Sequence, residues 1–245
     1  MTASPAWPLD AVAALYDVHG NPAALEAVLE EVGDATLVFG GDYAWGPFPA
    51  ETVDRIRSLD ALAIRGNADR DPGDDWVVDQ LGPERFDWLQ SLPEQLEVEV
   101  ETVGRVLFCH GSPRSDEEII LRTTPDEWLR EMVANVDAGV VVCGHTHMQF
   151  DRSVDGIRVL NAGSVGLAYG APGAHWLALG PGIEHRRTSY DNDAFANRVA
   201  GLSWPIATRF AEESIRNTRT EEEATLEFFE GMAAEQQGQR YPGPS

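Results

Sequence analysis

Four of the chain's six histidines and two of its aspartates stand where apolar runs stop. The runs end in Asp17-Val18-His19, Gly41-Asp42, Gly66-Asn67, His110-Gly111 and Gly144-His145-Thr146-His147. Imidazole mixed with carboxylate and amide oxygen suits Mn, Fe, Zn or Ni, and no thiolate stands at ligand-like spacing. Taken singly these features are weak: a histidine at a strand end is ordinarily a hydrogen-bonded residue, and Asp-x-His and Gly-Asp are common. Together they supply seven donors, too many for one transition metal. Seven suit two ions about 3.5–4 Å apart, the spacing used for in-line displacement at phosphorus. His175 and His185 lack this context and read as structural.

Such donors need strands that end at one place. "AVAALYD" (11–17), "ATLVFGGD" (35–42) and "ALAIRGN" (61–67) read as buried strands, apolar on both faces as in a helix-covered parallel sheet. Between the first two lies "NPAALEAVLEEVG", with Asn21 as N-cap, Pro22 at the first helical position, and Leu25, Val28, Leu29 and Val32 on one face. A second helix is expected around 50–58. This βαβαβ rhythm implies a parallel sheet whose strands deliver ligands beyond their carboxyl ends. Along extended chain, residues i and i+2 point the same way, pairing Asp17 with His19 and His145 with His147.

The later pattern differs. A helical stretch over 74–91 precedes two strands within 94–110 that meet at Val103-Gly104. Thr124, Pro125 and Glu127 stand in capping-box order before a helix. Strands are expected at 139–143, 148–153, 157–161, 174–179 and 183–188. Helices early and hairpins late suggest two sheets packed together with helices outside. From 191 the chain reads as helical and acidic, with "QQGQRYPGPS" as a disordered tail and the first ten residues as a loose arm.

The chain has 245 residues and a net charge of -23, and all 18 basic residues are arginine. Such a surface repels long polyanions, so no long nucleic acid is expected as partner. No apolar stretch reaches the roughly 18 residues of a transmembrane helix, and no membrane association is expected. Cys109 and Cys143, both inside apolar runs, read as reduced, buried thiols and a cytoplasmic setting.

The ordered set "DVHGN" (17–21), "GGDYAWGP" (40–47), "GNAD" (66–69), "CHGSPR" (109–114) and "GHTH" (144–147) resembles the calcineurin-like metallophosphoesterase superfamily. "HGSPR", "NAGSVG" (161–166) and "SYDNDAFANRV" are similar to a bacterial and archaeal subgroup of small, diadenosine tetraphosphatase-like phosphodiesterases. The resemblance implies a four-layer α/β/β/α sandwich of two mixed β-sheets, with the phosphoesterase domain over 1–190 and a helical extension over 191–245. It implies two divalent transition metal ions, manganese first among the candidates. Asp17, His19 and His147 would hold one, Asn67, His110 and His145 the other, and Asp42 would bridge them. A water shared by the two ions would be the nucleophile, with Asp42, Asn67 and His110 as catalytic residues and Asn67 also orienting a phosphate oxygen.

One position departs from the family pattern. Many members carry Gly-Asn-His, whose histidine assists the leaving group, and here position 68 is alanine. Loss of a general acid costs on the order of 10²- to 10⁴-fold for a poor leaving group and less for an acidic one. Ala68 therefore tilts the expected substrates toward small phosphodiesters and nucleotide phosphoanhydrides. For recognition, Arg114 is the candidate phosphate ligand, with Arg65 and Arg70 as lesser ones. Tyr43, Trp45 and Phe48 could stack on a nucleobase or pack against a loop. The competing reading is a binding or scaffold protein that kept the fold and lost catalysis; the seven intact ligand positions weigh against it.

Overall fold

The computed structural model describes residues 8–240, with side chains to 238. The first seven residues of the expected arm, and 241–245 of the expected tail, lie outside the described residues. The elements in order are β1 (Val12–Leu15), α1 (Pro22–Glu31), β2 (Thr36–Phe39), α2 (Pro49–Arg57), β3 (Ala61–Ala63), α3 (Asn67–Arg70), α4 (Asp75–Ser91), β4 (Gln95–Val100), β5 (Gly104–Cys109), α5 (Asp126–Met132), β6 (Val140–Cys143), β7 (Phe150–Val154), β8 (Ile157–Asn161), β9 (Ala174–Leu179), β10 (Ile183–Thr188) and α6 (Asn192–Ala200). A final helical stretch comprises α7 (Ala207–Phe210), running into a π-helical segment (Ala211–Arg216), then α8 (Glu221–Ala224), a second π-helical segment (Thr225–Phe229) and α9 (Glu230–Arg240).

Two five-stranded mixed sheets result, ordered β10-β9-β1-β2-β3 and β4-β5-β6-β8-β7. β1, β2 and β3 are parallel, as are β5, β6 and β8; the remaining pairings are antiparallel. Period-two alternation decides the layering. In β1, Ala13 and Leu15 face an outer core with Leu25, Val28 and Val53 of α1 and α2, while Val12 and Ala14 face Val106, Phe108 and Val142 of the other sheet. The outer face of the second sheet packs Leu107, Val141 and Val159 on Leu129 and Met132 of α5. This is the helix–sheet–sheet–helix stacking expected from the sequence.

Local chemistry explains the ends. The Asn21 side chain accepts from the Ala24 amide at 3.0 Å and caps α1, and Gly33 turns the chain out at φ +59°. Three expectations need correction. Thr124 does not cap α5: its hydroxyl accepts from the Leu121 amide, and Pro125 stands at the cap without a side-chain bond. The 74–91 stretch is interrupted at Gly82, at φ 67° and ψ 165°, because Pro83 has no amide to continue the ladder. The polar 236–240 segment continues α9 as helix. Among the described residues no helix is long and apolar enough to cross a membrane.

Candidate metal centre

The loops following β1, β2, β3, β5 and β6 converge at one end of the two sheets. There, one ligand atom each from Asp17, His19 and His147 lies within 4.8 Å of the others, and Asp42, His110 and His145 form a second such triad. The triads adjoin: Asp42 Oδ2 is 3.3 Å from His110 Nε2 and 3.9 Å from His19 Nε2, so this carboxylate faces both. Asp17 Oδ1 is 3.3 Å from His147 Nε2 and 3.8 Å from His110 Nε2. The Asn67 Oδ1 atom is buried without a hydrogen-bond partner, as are Asp17 Oδ1 and His110 Nε2.

Extended geometry does not build this arrangement. Asp17, His19, Asp42, His145 and His147 all adopt left-handed backbone, at φ 53°, 47°, 57°, 66° and 60°. For residues with a Cβ this costs on the order of 1–3 kcal/mol each. The kinks split His145 and His147 between the two triads, against the i, i+2 pairing expected for a strand. Glycines make the approach possible: a Cβ on Gly144 would stand 2.5 Å from Asp17 Oδ2, and one on Gly66 2.2 Å from Asp42 Oδ1.

Backbone carbonyls orient three of the imidazoles. His19 Nδ1 lies 2.9 Å from Trp45 O, His147 Nδ1 2.9 Å from Leu167 O, and His110 Nδ1 2.8 Å from Gly40 O. A carbonyl only accepts, so each Nδ1 carries a proton, and a ring in its neutral form turns its Nε2 lone pair to the site. His19 Nε2 and His147 Nε2 then face one another at 3.0 Å. With both rings neutral two lone pairs would repel at this distance, so the contact calls for a shared cation, a proton or a metal ion. The donor set and the unpartnered atoms therefore fit divalent ions.

Electrostatics follow from this crowding. Burial, reinforced by His147, pushes His19 down to about 4, and burial with His110 does the same to His145. At His110 burial opposes protonation, but Asp42 and Asp17 outweigh it and raise the pKa to about 10. Burial pushes Asp17 and Asp42 upward, yet His147 and His110 hold both below the usual carboxylate range.

Asp69 escaped notice in the sequence because nothing marks it as more than the last letter of "GNAD". It is fully buried, and it accepts from the amides of Asp42 (2.7 Å), Tyr43 (2.9 Å) and Gly66 (3.0 Å). It thereby ties the loop carrying Asp42 to the loop carrying Asn67. Ala68 lines the cavity, and its amide donates to Asp42 Oδ1 at 2.8 Å.

A cavity of about 690 Å³ lies over the triads, bordered by His19, Asp42, Asn67, His145 and His147. Arg114 is not brought to it. Burying Glu118 demands a partner, and Arg114 supplies it with two hydrogen bonds of 2.9 Å. Arg65 bonds Gln90 and Glu94, and Arg70 bonds Asp116 and Glu117. Of the three aromatics after Asp42, only Trp45 lines the cavity. Tyr43 is buried with its hydroxyl donating to backbone carbonyls, and Phe48 packs on Phe195. His175 and His185 bond the carbonyls of Ala171 and Asn161 instead.

Residues 11–179 match the family described as the calcineurin-like phosphoesterase superfamily domain. The chain belongs to that superfamily. An uncharacterized protein of Methanocaldococcus jannaschii is 26% identical over 178 residues, 63% of this chain and 69% of the relative. A metallophosphoesterase from Sphaerobacter thermophilus superposes with a TM-score of 0.67 at 25% identity, covering 83% of this chain and 98% of its own. A hypothetical protein from Pyrococcus horikoshii gives the same TM-score at 20% identity, over 82% and 97% of the two chains, and shares the fold. The protein is thus a metallophosphoesterase-fold chain with two adjoining metal-ligand clusters.

Proposed function

We propose that this superfamily member is a metal-dependent phosphoesterase that hydrolyses small phosphodiesters or nucleotide phosphoanhydrides. Dinucleoside polyphosphates and cyclic nucleotides are the leading candidates. The observation behind this reading is the His19–His147 contact, two carbonyl-anchored imidazoles whose Nε2 atoms converge at 3.0 Å beside the Asp17 and Asp42 carboxylates. The Sphaerobacter relative's description as a metallophosphoesterase points the same way.

In this reading Asp17, His19 and His147 would hold one ion and Asn67, His110 and His145 the other, with Asp42 shared between them. Manganese is the first candidate. When bound, the two ions would supply a water acidic enough to ionise near neutral pH and positive charge to offset the negative charge building on the phosphorus oxygens. The chain's own residues keep that site rigid: Trp45, Leu167 and Gly40 carbonyls fix the ring planes, and Asp69 fixes the loops. The Asn67 side chain at the cavity orients a phosphate oxygen. Ala68 offers no proton to the leaving group, so leaving groups that depart as stable anions react best. Two free, buried thiols, Cys109 and Cys143, go with a reducing cytoplasmic setting.

The test is hydrolysis by metal-stripped protein with and without Mn²⁺, on bis-p-nitrophenyl phosphate, p-nitrophenyl phosphate and diadenosine tetraphosphate, with Asp42→Ala as control. Mn-dependent cleavage of diester or anhydride, weak on the monoester and lost in the variant, is the expected result. No turnover with two ions bound rejects the enzyme and favours a binding protein.

A further inference from the structure

The cavity has a floor and a wall of different origin. Its floor is the metal-ligand end of the superfamily domain, but Arg209, Phe210, Arg219 and Phe228 on its wall come from beyond residue 179, where the family match ends. The wall is anchored by aromatic packing. Phe210 is buried against Trp45 and Trp204 at ring separations of 6.0 and 5.0 Å. The chain passes there from the α-helical Ala207–Phe210 turn into π-helix, a register change that concentrates at functional sites.

Packing Phe210 inward leaves its neighbour Arg209 at the cavity, exposed to solvent. Acids outnumber bases 41 to 18, and most arginines are taken up by carboxylates. Arg219, the other arginine of the cavity, is gripped by Glu227 with bonds of 2.6 and 3.0 Å. Among the described residues no carboxylate lies within ion-pair distance of Arg209, although Glu213 lines the same cavity. In so acidic a chain, a guanidinium left open toward a cavity is available to an anion from outside.

The cavity's size decides which anion. At about 690 Å³ it falls among pockets of roughly 300–1,000 Å³ that enclose whole small ligands, far more than a phosphate group needs. In the phosphoesterase reading a scissile phosphate would sit on the floor beside His19, Asn67 and His145, whereas Arg209 belongs to the C-terminal wall. We infer that Arg209 is a specificity-determining residue that binds a second anionic group of the substrate, so that compounds with a further phosphate are preferred over singly charged diesters. This rests on the phosphoesterase reading above.

The experiment compares wild type with Arg209→Gln and Arg209→Lys, and with Arg187→Gln as an exposed arginine away from the cavity. Mn-loaded protein is assayed on diadenosine tetraphosphate and on bis-p-nitrophenyl phosphate, and ADP binding is measured by calorimetry. Loss of charge-assisted hydrogen bonds predicts a roughly 10- to 100-fold rise in KM for diadenosine tetraphosphate in Arg209→Gln, with partial recovery in Arg209→Lys. Bis-p-nitrophenyl phosphate turnover stays within about twofold, as does everything in Arg187→Gln. Equal losses on both substrates would place Arg209 on the scissile phosphate and overturn the inference, as would no change on either. If wild type cleaves neither compound, the phosphoesterase reading fails by itself. ADP affinity then decides for Arg209: weakened about tenfold or more in Arg209→Gln it stands, unchanged it falls.

Discussion

Replacing Asp69 with asparagine isolates the contribution of one buried carboxylate to the site. Asp69 Oδ2 accepts from Asp42 and Gly66, and Oδ1 accepts from Tyr43. Asparagine has the same shape but one acceptor. If its oxygen serves the first two amides, its NH₂ group must face the Tyr43 amide, donor against donor. One buried hydrogen bond is lost and two buried donors are left unsatisfied, each costing about 1–3 kcal/mol. The expected loss of stability is therefore roughly 2–6 kcal/mol. Burial and the nearby Asp42 charge raise the Asp69 pKa to about 7 against the pull of these amides, so the comparison belongs at pH 8, where the carboxylate is ionised. Urea unfolding of metal-free protein gives the free-energy difference, and Mn²⁺ titration reports on the loops. Asp42 and Asn67 are carried by the strapped loops, so Mn²⁺ affinity should fall as well. A stability change below about 0.5 kcal/mol, within the range of an ordinary surface substitution, would refute the claim that Asp69 ties the two loops together.

Other perturbations probe the same construction. Gly144→Ala puts a Cβ 2.5 Å from Asp17 Oδ2 and 2.5 Å from the Tyr16 ring; bound manganese measured by elemental analysis should drop below two ions per chain. Tyr169 stacks on His147 with centroids 5.6 Å apart and planes 19° from parallel. Tyr169→Ala should weaken Mn²⁺ binding roughly 2- to 10-fold, the scale of one aromatic pair, while Tyr169→Phe leaves it unchanged in calorimetry. Stability of metal-free protein should decline as pH falls from about 6 toward 4. In that window the unfolded chain takes up protons at His19 and His145 that the folded chain, with pKa values near 4, refuses. His110, raised to about 10, is already protonated in the fold while its unfolded counterpart completes protonation just below 6.5, so it opposes the trend only near the top of the window; its stabilisation is lost as pH rises from 6.5 through 10. Asp69 works the other way, since its raised pKa lets the folded state bind a proton first, and two histidines against one aspartate leave a net loss. A urea midpoint that is flat or rising over this range contradicts that balance.

Sequence alone showed most of the order of elements and the candidate residues that the fold brings together in two triads. Both are local properties: apolar runs of strand length announce β1, β2, β5 and β6, and the polar residue ending each run is visible without knowing its neighbours. The glycines next to Asp42, Asn67 and His145 were legible for the same reason. Spacing alone paired His145 with His147, the family resemblance divided them between two ions, and tertiary structure supplies the physical reason. His145 and His147 share a motif but serve different triads, because left-handed backbone at both turns their side chains apart. Tertiary structure also decided which arginine of the cavity is left without a carboxylate among the described residues. Arg114 stands beside a ligand in sequence, yet Glu118, buried by the fold, claims its guanidinium. Arg209 stands almost 100 residues from the nearest ligand position other than His145 and His147, in a stretch with no motif, and reaches the cavity only because Phe210 packs under Trp45 and Trp204. Strand periodicity is written in neighbouring residues; the competition of carboxylates for a guanidinium is settled by groups that only folding brings together.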